Sequence, residues 1–368
     1  MRKIALIKYR SLSHVNQNVI QILRESFPQY RLEVIDVKEL FLRKARRSIF
    51  LNIFLPLKEY GPALLSGKRK FGASFLTTPY FFKVTKQLVR QTLAGGDYVF
   101  SFQTQSFFDA SKEGLPHFVY TDHTHLANLR YPSFDKRALN SETFIALERE
   151  IYKNARMIFT TNEFTAASLV EDYRCAPVRV RCVYSGVNVS GIVSSARKPQ
   201  NRNILFAGFE WERKGGPELV QAFEKVLKIY PDATLTIVGC KPKIHVANCR
   251  AVGGASKEAL ANYYENAGVF CMPSRIDPAA SVLLEAAYHK LPVITTRVGG
   301  CEERVLDGTT GYLVPVGDIE MLARRLGELL GDFEKRKRFG EAGAAFVQER
   351  YLWPKVAERI KRGIEESL

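Results

Sequence analysis

The sequence predicts an α/β protein made of two facing, doubly wound parallel-sheet domains with a ligand cleft between them, and three observations lead there. Short apolar runs alternate with helical patterns along the whole chain, as expected for parallel strands joined by crossover helices. The alternation comes in two series, separated by a stretch poor in apolar residues. The chain is 368 residues long, beyond the roughly 250–300 residues at which single cores stop growing. With 46% hydrophobic and 25% charged residues, the composition excludes intrinsic disorder and fibrous structure.

The first series reads as strands at Ile4–Ile7, Leu32–Ile35, Tyr98–Phe102, Phe118–Thr121, Met157–Thr160 and Val178–Val183. The second reads as strands at Asn203–Gly208, Thr234–Gly239, Val269–Met272, Pro292–Thr295 and Gly311–Val314, with helices such as Glu218–Tyr230 and Lys257–Asn266 between them. Ser, Gly, Lys, Pro and Asn dilute the pattern over Val189–Arg202, which marks the boundary: an N-terminal domain over 1–190 and a C-terminal domain over 203–350. In open α/β sheets ligands bind past the carboxyl ends of the strands, which directs the search for chemistry to the loops there.

Met1-Arg2-Lys3 precedes only four apolar residues, too few for a secretory signal, so the segment reads as a first buried strand in a cytoplasmic protein. The longest apolar stretch of the basic region, Ile49–Leu57, is interrupted by Asn52 and Pro56 and falls short of the about 20 residues that span a bilayer. Six scattered cysteines without a C-x-x-C pair read as reduced thiols, not as a zinc site.

The most informative stretch is Pro273-Ser274-Arg275-Ile276-Asp277-Pro278-Ala279-Ala280-Ser281-Val282-Leu283-Leu284-Glu285, a strand end that turns helical near Pro278 and Ser281. Backbone N–H groups around Ala279–Val282 are expected to be open donors at the positive end of a helix, a site for a diphosphate, with Ala279 and Ala280 small enough for close approach. Asp277 and Glu285, with seven residues between them, can both address a ligand across that helix end, Glu285 suiting ribose hydroxyls. By spacing alone, a turn cap for Asp277 and a dipole partner for Glu285 fit equally well.

Three ordered motifs over about 203–330 resemble the retaining GT-B glycosyltransferases of family 4, which use nucleotide sugars. The Asp277…Glu285 pair looks like their E-x7-E motif with Asp in place of the first Glu. Ala207-Gly208-Phe209-Glu210-Trp211-Glu212-Arg213-Lys214-Gly215 looks like their G-R…K-G segment, and Gly299-Gly300-Cys301-Glu302-Glu303-Arg304-Val305-Leu306-Asp307-Gly308 like their G-G-x-x-E-x-V-x-D-G segment. The resemblance implies two Rossmann-like domains, the second binding the donor. It implies that Lys214 neutralises the leaving diphosphate, with Gly208 and Gly254 beside the nucleotide and Asp277 positioning the transferred sugar. The family's arginine falls at Phe209, and whether Arg213 replaces it stays open. No Asp-x-Asp occurs, so no metal is expected. No cofactor is implied beyond the nucleotide-sugar co-substrate, for which UDP is taken as the carrier.

On the acceptor side the resemblance points to the loop after Phe118–Thr121, with His123 first and Asp122 second as the polar group near the sugar. A helix cap or a surface position is the alternative for His123. The family's Gly-Gly loop after the first strand is replaced here by Lys8–Ser13, where Arg10 can address an anionic acceptor. The segment 351–368 resembles the terminal helix that crosses back onto the first domain, with Trp353 packed in its core.

The net charge is +16, and residues 1–100 carry 18 basic against 6 acidic side chains. Residues 38–90 alone hold twelve basic and two acidic. Arg43, Lys44, Arg46 and Arg47 precede Ile49, Phe50, Ile53, Phe54 and Leu57, which share one helical face, and Lys68-Arg69-Lys70 extends the cluster. Two readings follow: an anionic membrane surface as partner, the protein sitting peripherally on the inner face of the cell membrane, or an apolar face packed into the core under solvated charges. No nucleic-acid-reading signature accompanies the charge. The expected function is transfer of a sugar from a nucleotide-diphosphate sugar to a glycan or lipid-linked acceptor in polysaccharide or glycolipid synthesis. A non-catalytic binder of nucleotide sugar or anionic surfaces, and more remotely a sugar-nucleotide epimerase, are the alternatives.

Overall fold

The computed structural model describes residues 1–10, 15–65, 67, 71–189 and 202–368. Most of the boundary segment Val189–Arg202, and the cluster Lys68-Arg69-Lys70, therefore lie outside the described residues. The chain divides into two compact units: one of Met1–Arg130, Phe134–Ser185 and Trp353–Leu368, the other of Tyr131–Ser133 and Gly186–Leu352.

The first unit contains, in order, β1 (Lys3–Lys8), α1 (Val15–Ser26), β2 (Arg31–Asp36), α2 (Val37–Lys44), α3 (Arg46–Leu65), α4 (Phe71–Leu76), α5 (Pro79–Ala94), β3 (Tyr98–Thr104), β4 (His117–Thr121), α6 (Glu142–Asn154), β5 (Met157–Thr160), α7 (Glu163–Glu171) and β6 (Val180–Cys182). The strands form one parallel sheet in the order β2-β1-β3-β4-β5-β6. Ile4, Ala5, Leu6 and Ile7 are all buried, because both faces of a parallel sheet are covered. Ile4 and Leu6 join Val19, Phe100 and Phe118 in one core, while Ala5 and Ile7 join Phe41, Phe81 and Val89 in another. Helix starts follow local chemistry: Thr78, Ser141 and Asn162 cap α5, α6 and α7 through their side-chain oxygens, and Pro79 opens α5.

The second unit contains β7 (Asn203–Ala207), α8 (Gly216–Leu227), β8 (Thr234–Val238), β9 (Cys249–Gly253), α9 (Lys257–Asn266), β10 (Val269–Met272), α10 (Ser281–Tyr288), β11 (Val293–Thr296), β12 (Gly311–Val314), α11 (Ile319–Gly331) and α12 (Phe333–Arg350). Its parallel sheet runs β12-β11-β10-β7-β8-β9. The last helix, α13 (Trp353–Glu365), returns to the first unit, where Val356, Ile360 and Ile364 complete the core around Phe118 and Phe159 and Trp353 packs against it. A Cβ on Gly363 would come within 2.5 Å of the Phe159 ring, so the glycine sets how closely this helix approaches the sheet.

Several elements differ from the sequence reading. The strand expected over Val178–Val183 is shortened to Val180–Cys182, because Pro177–Arg179 close a 3-10 turn. The strand β9 was not expected: it is an edge strand paired to β8 alone and mostly half exposed, so it needs no apolar run. Helix α8 begins at Gly216, two residues before the expected Glu218, with Pro217 in its first turn.

The basic segment also departs from one of its two readings. In α3 only Ile49 of the predicted face packs on the first unit's core. Phe50 and Phe54 are 71% and 70% exposed, with Ile53 and Leu57 exposed beside them. The inward positions are Asn52, Pro56 and Tyr60. Asn52 donates to the Phe75 carbonyl at 2.9 Å and accepts from the Thr78 hydroxyl at 2.6 Å. Packing of the apolar face into the core is therefore contradicted: a buried asparagine with satisfied hydrogen bonds holds the helix down, and the phenylalanines face out.

Candidate active site

In the second sheet β7 and β10 are neighbours although two strands intervene in sequence, so the connections leave them in opposite directions. Open α/β sheets form their ligand crevice at such a switch point, past the strands' carboxyl ends. The turn after β7 carries Lys214 and the loop after β10 carries Asp277. Gly215, at φ +73°, makes their meeting feasible: a Cβ there would lie 1.8 Å from the Pro273 carbonyl oxygen, so only glycine lets the turn rest against that loop.

The Lys214 ammonium pairs with Asp277 Oδ2, and Asp277 is 3% exposed. The Ser274 hydroxyl donates to the same oxygen at 3.3 Å, while Oδ1 accepts from the Ala279 and Ala280 N–H groups at 3.3 and 3.0 Å. Burial pushes this carboxyl up, but Lys214, Arg213 and the Ala280 N–H together outweigh burial and hold it below the usual carboxylate range. The Gly300 N–H donates to the Asp277 carbonyl at 3.1 Å, and Gly299, at φ +52°, lies so close that a Cβ would sit 2.3 Å from that oxygen. The glycine pair thus clamps the acidic loop from the other side.

Asp277 consumes two of the donors expected to be open, which corrects the reading of Ala279 and Ala280 as ligand-facing N–H groups. At the start of α10 that leaves Ser281 and Val282, the first helical N–H groups, with no carbonyl partner inside the helix. One turn further, Glu285 accepts from the Tyr264 hydroxyl at 3.1 Å, and Tyr264 stacks on His289. Burial raises the Glu285 carboxyl above its ordinary range against the pull of Tyr264, Lys257 and Arg304. Arg304 was not singled out by sequence. It is 1% exposed, and none of its three guanidinium nitrogens has a hydrogen-bond partner among the described residues.

Arg213 lies beside the pair but is engaged: it donates to the Ile276 carbonyl at 2.7 Å and to Glu210 at 2.9 Å, tying the two loops together. Phe209, at the family's arginine position, is 82% exposed. Gly208 sits under the Lys214 side chain, where a Cβ would come to 3.4 Å. Near Gly254 the constrained residue is its neighbour: Gly253 has φ +87° and its carbonyl accepts from Gly239 N–H at 2.6 Å, whereas Gly254 is exposed with open space around it. An open cavity of about 460 Å³ borders Trp211, Arg213, Cys240 and Lys241 at the ends of β7 and β8. Among the described residues no group of His, Cys, Asp and Glu could hold a metal ion.

The remaining candidates belong to the first unit. The His123 carbonyl accepts from Thr121 and Ser106 hydroxyls at 2.8 and 3.2 Å, and burial lowers the imidazole's pKa against Asp122 and Asn128, favouring the neutral ring. Asp122 is exposed, its carbonyl held by Asn162 and Thr165 at 3.0 and 2.8 Å. The structure does not group Arg10 with them: it follows β1, two strands away from β4, at φ +58°, with its guanidinium over the Tyr9 ring. Sequence reasoning missed Glu148, buried in α6, which accepts from Tyr152 at 2.9 Å, from Tyr173 and from the His125 N–H at 3.1 Å. Burial pushes its carboxyl up to about 7 despite those donors. An isolated glutamate on a helix gives no sequence signal of such a role.

Two six-stranded parallel sheets, one with a buried Lys–Asp pair at its switch point, define a protein of the GT-B class. Solved structures agree on the fold: sucrose-phosphate synthase from Thermosynechococcus elongatus superimposes with a TM-score of 0.71 at 19% identity over 100% of this chain and 99% of that one. Anabaena HepE, solved with UDP and glucose, gives 0.66 at 13% identity over 99% and 100% of the two chains. The family model for glycosyl transferases group 1 matches residues 192–346, and that for Glycosyltransferase Family 4 matches residues 58–190. The chain belongs to the family 4 glycosyltransferases. Among its relatives are a D-inositol 3-phosphate glycosyltransferase of Corynebacterium urealyticum, 26% identical over 58% of this chain and 57% of the relative. Another is a GDP-mannose-dependent phosphatidylinositol monomannoside mannosyltransferase of Mycolicibacterium smegmatis, 30% identical over 38% and 42% of the two chains. The chain spans about half the length of these relatives.

Proposed function

We propose that the protein is a retaining glycosyltransferase that moves a sugar from a nucleotide-diphosphate sugar, with UDP as carrier, to a glycan or lipid-linked acceptor. The observation that carries the reading is the buried Lys214–Asp277 pair at the switch point, beside the start of α10, whose second turn carries Glu285. The donor diphosphate takes its charge compensation from Lys214 and the α10 N-terminus, and Glu285 takes the ribose hydroxyls. The bond from the sugar to the diphosphate oxygen breaks, the acceptor oxygen bonds to the same carbon on the same face, and the acceptor's proton passes to the departing oxygen. Asp277, held ionised, positions the sugar and steadies positive charge as that bond lengthens. His123, neutral, accepts a hydrogen bond from the sugar or acceptor. The reaction draws no charge compensation from a metal, since Lys214 supplies it.

Membrane association belongs to the same proposal. No helix among the described residues is long and apolar enough to cross a bilayer. The outward Phe50 and Phe54, flanked by exposed Arg43, Lys44 and Arg47, instead suit peripheral contact with an anionic surface. The exposed phenylalanine at the family's arginine position favours a second reading, binding without turnover. Incubation with a panel of nucleotide sugars and a lipid extract as acceptor decides between them. Release of nucleotide coupled to a glycosylated product, lost in Glu285→Ala, is expected; nucleotide binding with no product from any donor would leave only the second reading.

A further inference from the structure

The first unit has its own switch point, between β1 and β3, and a cavity of about 460 Å³ opens beside the end of β1. Its size lies in the range of small-molecule sites, about 300–1,000 Å³. The interior is aromatic and aliphatic, formed by Phe41, Phe75, Leu76 and Phe81 from α2, α4 and α5 together with Tyr9. The apolar lining does not stop at the rim: Leu42 and Phe71, which border the cavity, are 45% and 43% exposed.

Charge at the mouth has one sign. Arg10 and Lys38 both border the cavity, and neither is in an ion pair among the described residues. Of the two acids beside them in the chain, Asp36 is already neutralised, pairing with Lys8 at 2.6 Å and accepting the Lys38 N–H at 3.0 Å as the cap of α2, and Glu39 is exposed and does not border the cavity. An apolar chamber with two cations at its entrance complements a molecule with an anionic head and a hydrocarbon tail. A nucleotide or free glycan would leave the phenylalanine lining against polar groups without partners.

We propose that this cavity takes a hydrocarbon chain of an anionic phospholipid, with Arg10 and Lys38 on the headgroup phosphate. The proposal rests on the transferase reading, for which it names the acceptor as a lipid entering chain-first. The lipid is drawn from the membrane against which Phe50 and Phe54 lie, and its head is held where open sheets present ligands.

The test is calorimetric titration of the full chain, without donor, using monomeric dihexanoyl phosphatidylglycerol, with dihexanoyl phosphatidylcholine and inorganic phosphate as comparisons. Gly72→Trp is the blocking variant: Gly72 borders the cavity, and a Cβ there has no atom within 4 Å, so the substitution adds bulk at the rim without a clash at its first atom, and the unfolding temperature of the variant is measured beside its binding. Saturable binding of the phosphatidylglycerol is expected, at least tenfold weaker for phosphatidylcholine, for Gly72→Trp and for Arg10→Gln/Lys38→Gln, and absent for phosphate. Wild-type binding that Gly72→Trp leaves unchanged, equal binding of both lipids, or no binding by a folded wild type would each overturn the proposal. Binding of UDP, measured on the same samples, separates the two readings. With GDP and ADP titrated beside UDP, lipid binding without binding of any of the three removes the transferase and leaves the lipid site, whereas the reverse removes the lipid site alone.

Discussion

The two sheets share one architecture but finish their switch points in opposite ways. In the second unit, glycines at 215 and 299 bring three loops into contact around a buried ion pair, and every oxygen of Asp277 has a donor. In the first, the space beside β1 stays open, lined by rings and edged by uncompensated cations. The fold supplies a crevice in both places, and loop chemistry decides its use. A closed polar cradle suits a ligand of fixed charge, such as a diphosphate; an open apolar chamber suits an amphiphile whose tail varies in length.

Breaking the polar cradle gives the largest expected effect. Lys214→Ala leaves the Asp277 carboxylate buried without its counter-charge, which costs about 3–5 kcal/mol of stability. Sugar transfer falls by roughly 10²–10³ for loss of a preorganised donor. Thermal unfolding and product formation measure the two, and the double variant Lys214→Met/Asp277→Leu recovers most of the stability while staying inactive. If Lys214→Ala unfolds like the wild type, the pair is solvated and the cradle is not closed.

The first unit has a buried acid as well, but one whose ionised form is disfavoured. Glu148 titrates near 7 in the folded protein against an ordinary value near 4.5, so between those values the folded state binds more protons than the unfolded one. Its contribution is complete below about 4.5 and is lost as pH rises through about 7, a change on the order of 3 kcal/mol. Relative to Glu148→Gln, the wild type should therefore lose stability from pH 4.5 to 7. A constant difference across that window would show that Glu148 titrates alike in the folded and unfolded states.

Much of this was legible in the sequence because apolar periodicity is a strong signal where both faces of a strand are buried. Strands β1, β4, β5, β10 and β12 lie where their apolar runs lie. The edge strand β9 escaped, since half-exposed Cys249, Ala251 and Val252 form no such run. Asp277, Lys214 and Glu285 stood out through the resemblance to family motifs, which could not tell that Asp277 would take the Ala279 and Ala280 N–H groups for itself. Glu148 and Arg304 were invisible because nothing local distinguishes a buried charge from a solvated one. The face of α3 was readable as a face, but its direction was not: that depended on Asn52 finding Phe75 and Thr78, partners more than twenty residues away.

Arg304 sharpens the comparison from the polar side. A guanidinium that is 1% exposed, with no hydrogen-bond partner among the described residues, bears a desolvation cost that its attraction to Glu285 helps to offset. Arg304→Met keeps the volume and removes the charge, and is expected to stabilise the second unit by about 1–4 kcal/mol. Activity read alongside stability reveals the reason the charge persists: a more stable but slower enzyme means that Arg304 acts on the donor site through Glu285. A less stable variant would mean that the guanidinium has partners when the protein is in solution.

The smallest effect on the fold is expected at the most conspicuous surface. Phe50→Ser/Phe54→Ser removes two rings that are already 71% and 70% exposed, so stability should change by no more than about 0.5 kcal/mol per site. Vesicle binding should respond instead. Neutralising the exposed Arg43, Lys44 and Arg47 removes about 1 kcal/mol each near an anionic surface, together a loss on the order of a hundredfold. The serine variant should weaken binding in a way that added salt does not reproduce, because salt screens the charges and not the rings. Cosedimentation with phosphatidylglycerol vesicles across a salt series separates the two contributions. If the serine variant unfolds at a lower temperature yet binds as before, the rings of α3 serve the fold after all, and the first unit loses the membrane contact that would feed its open crevice.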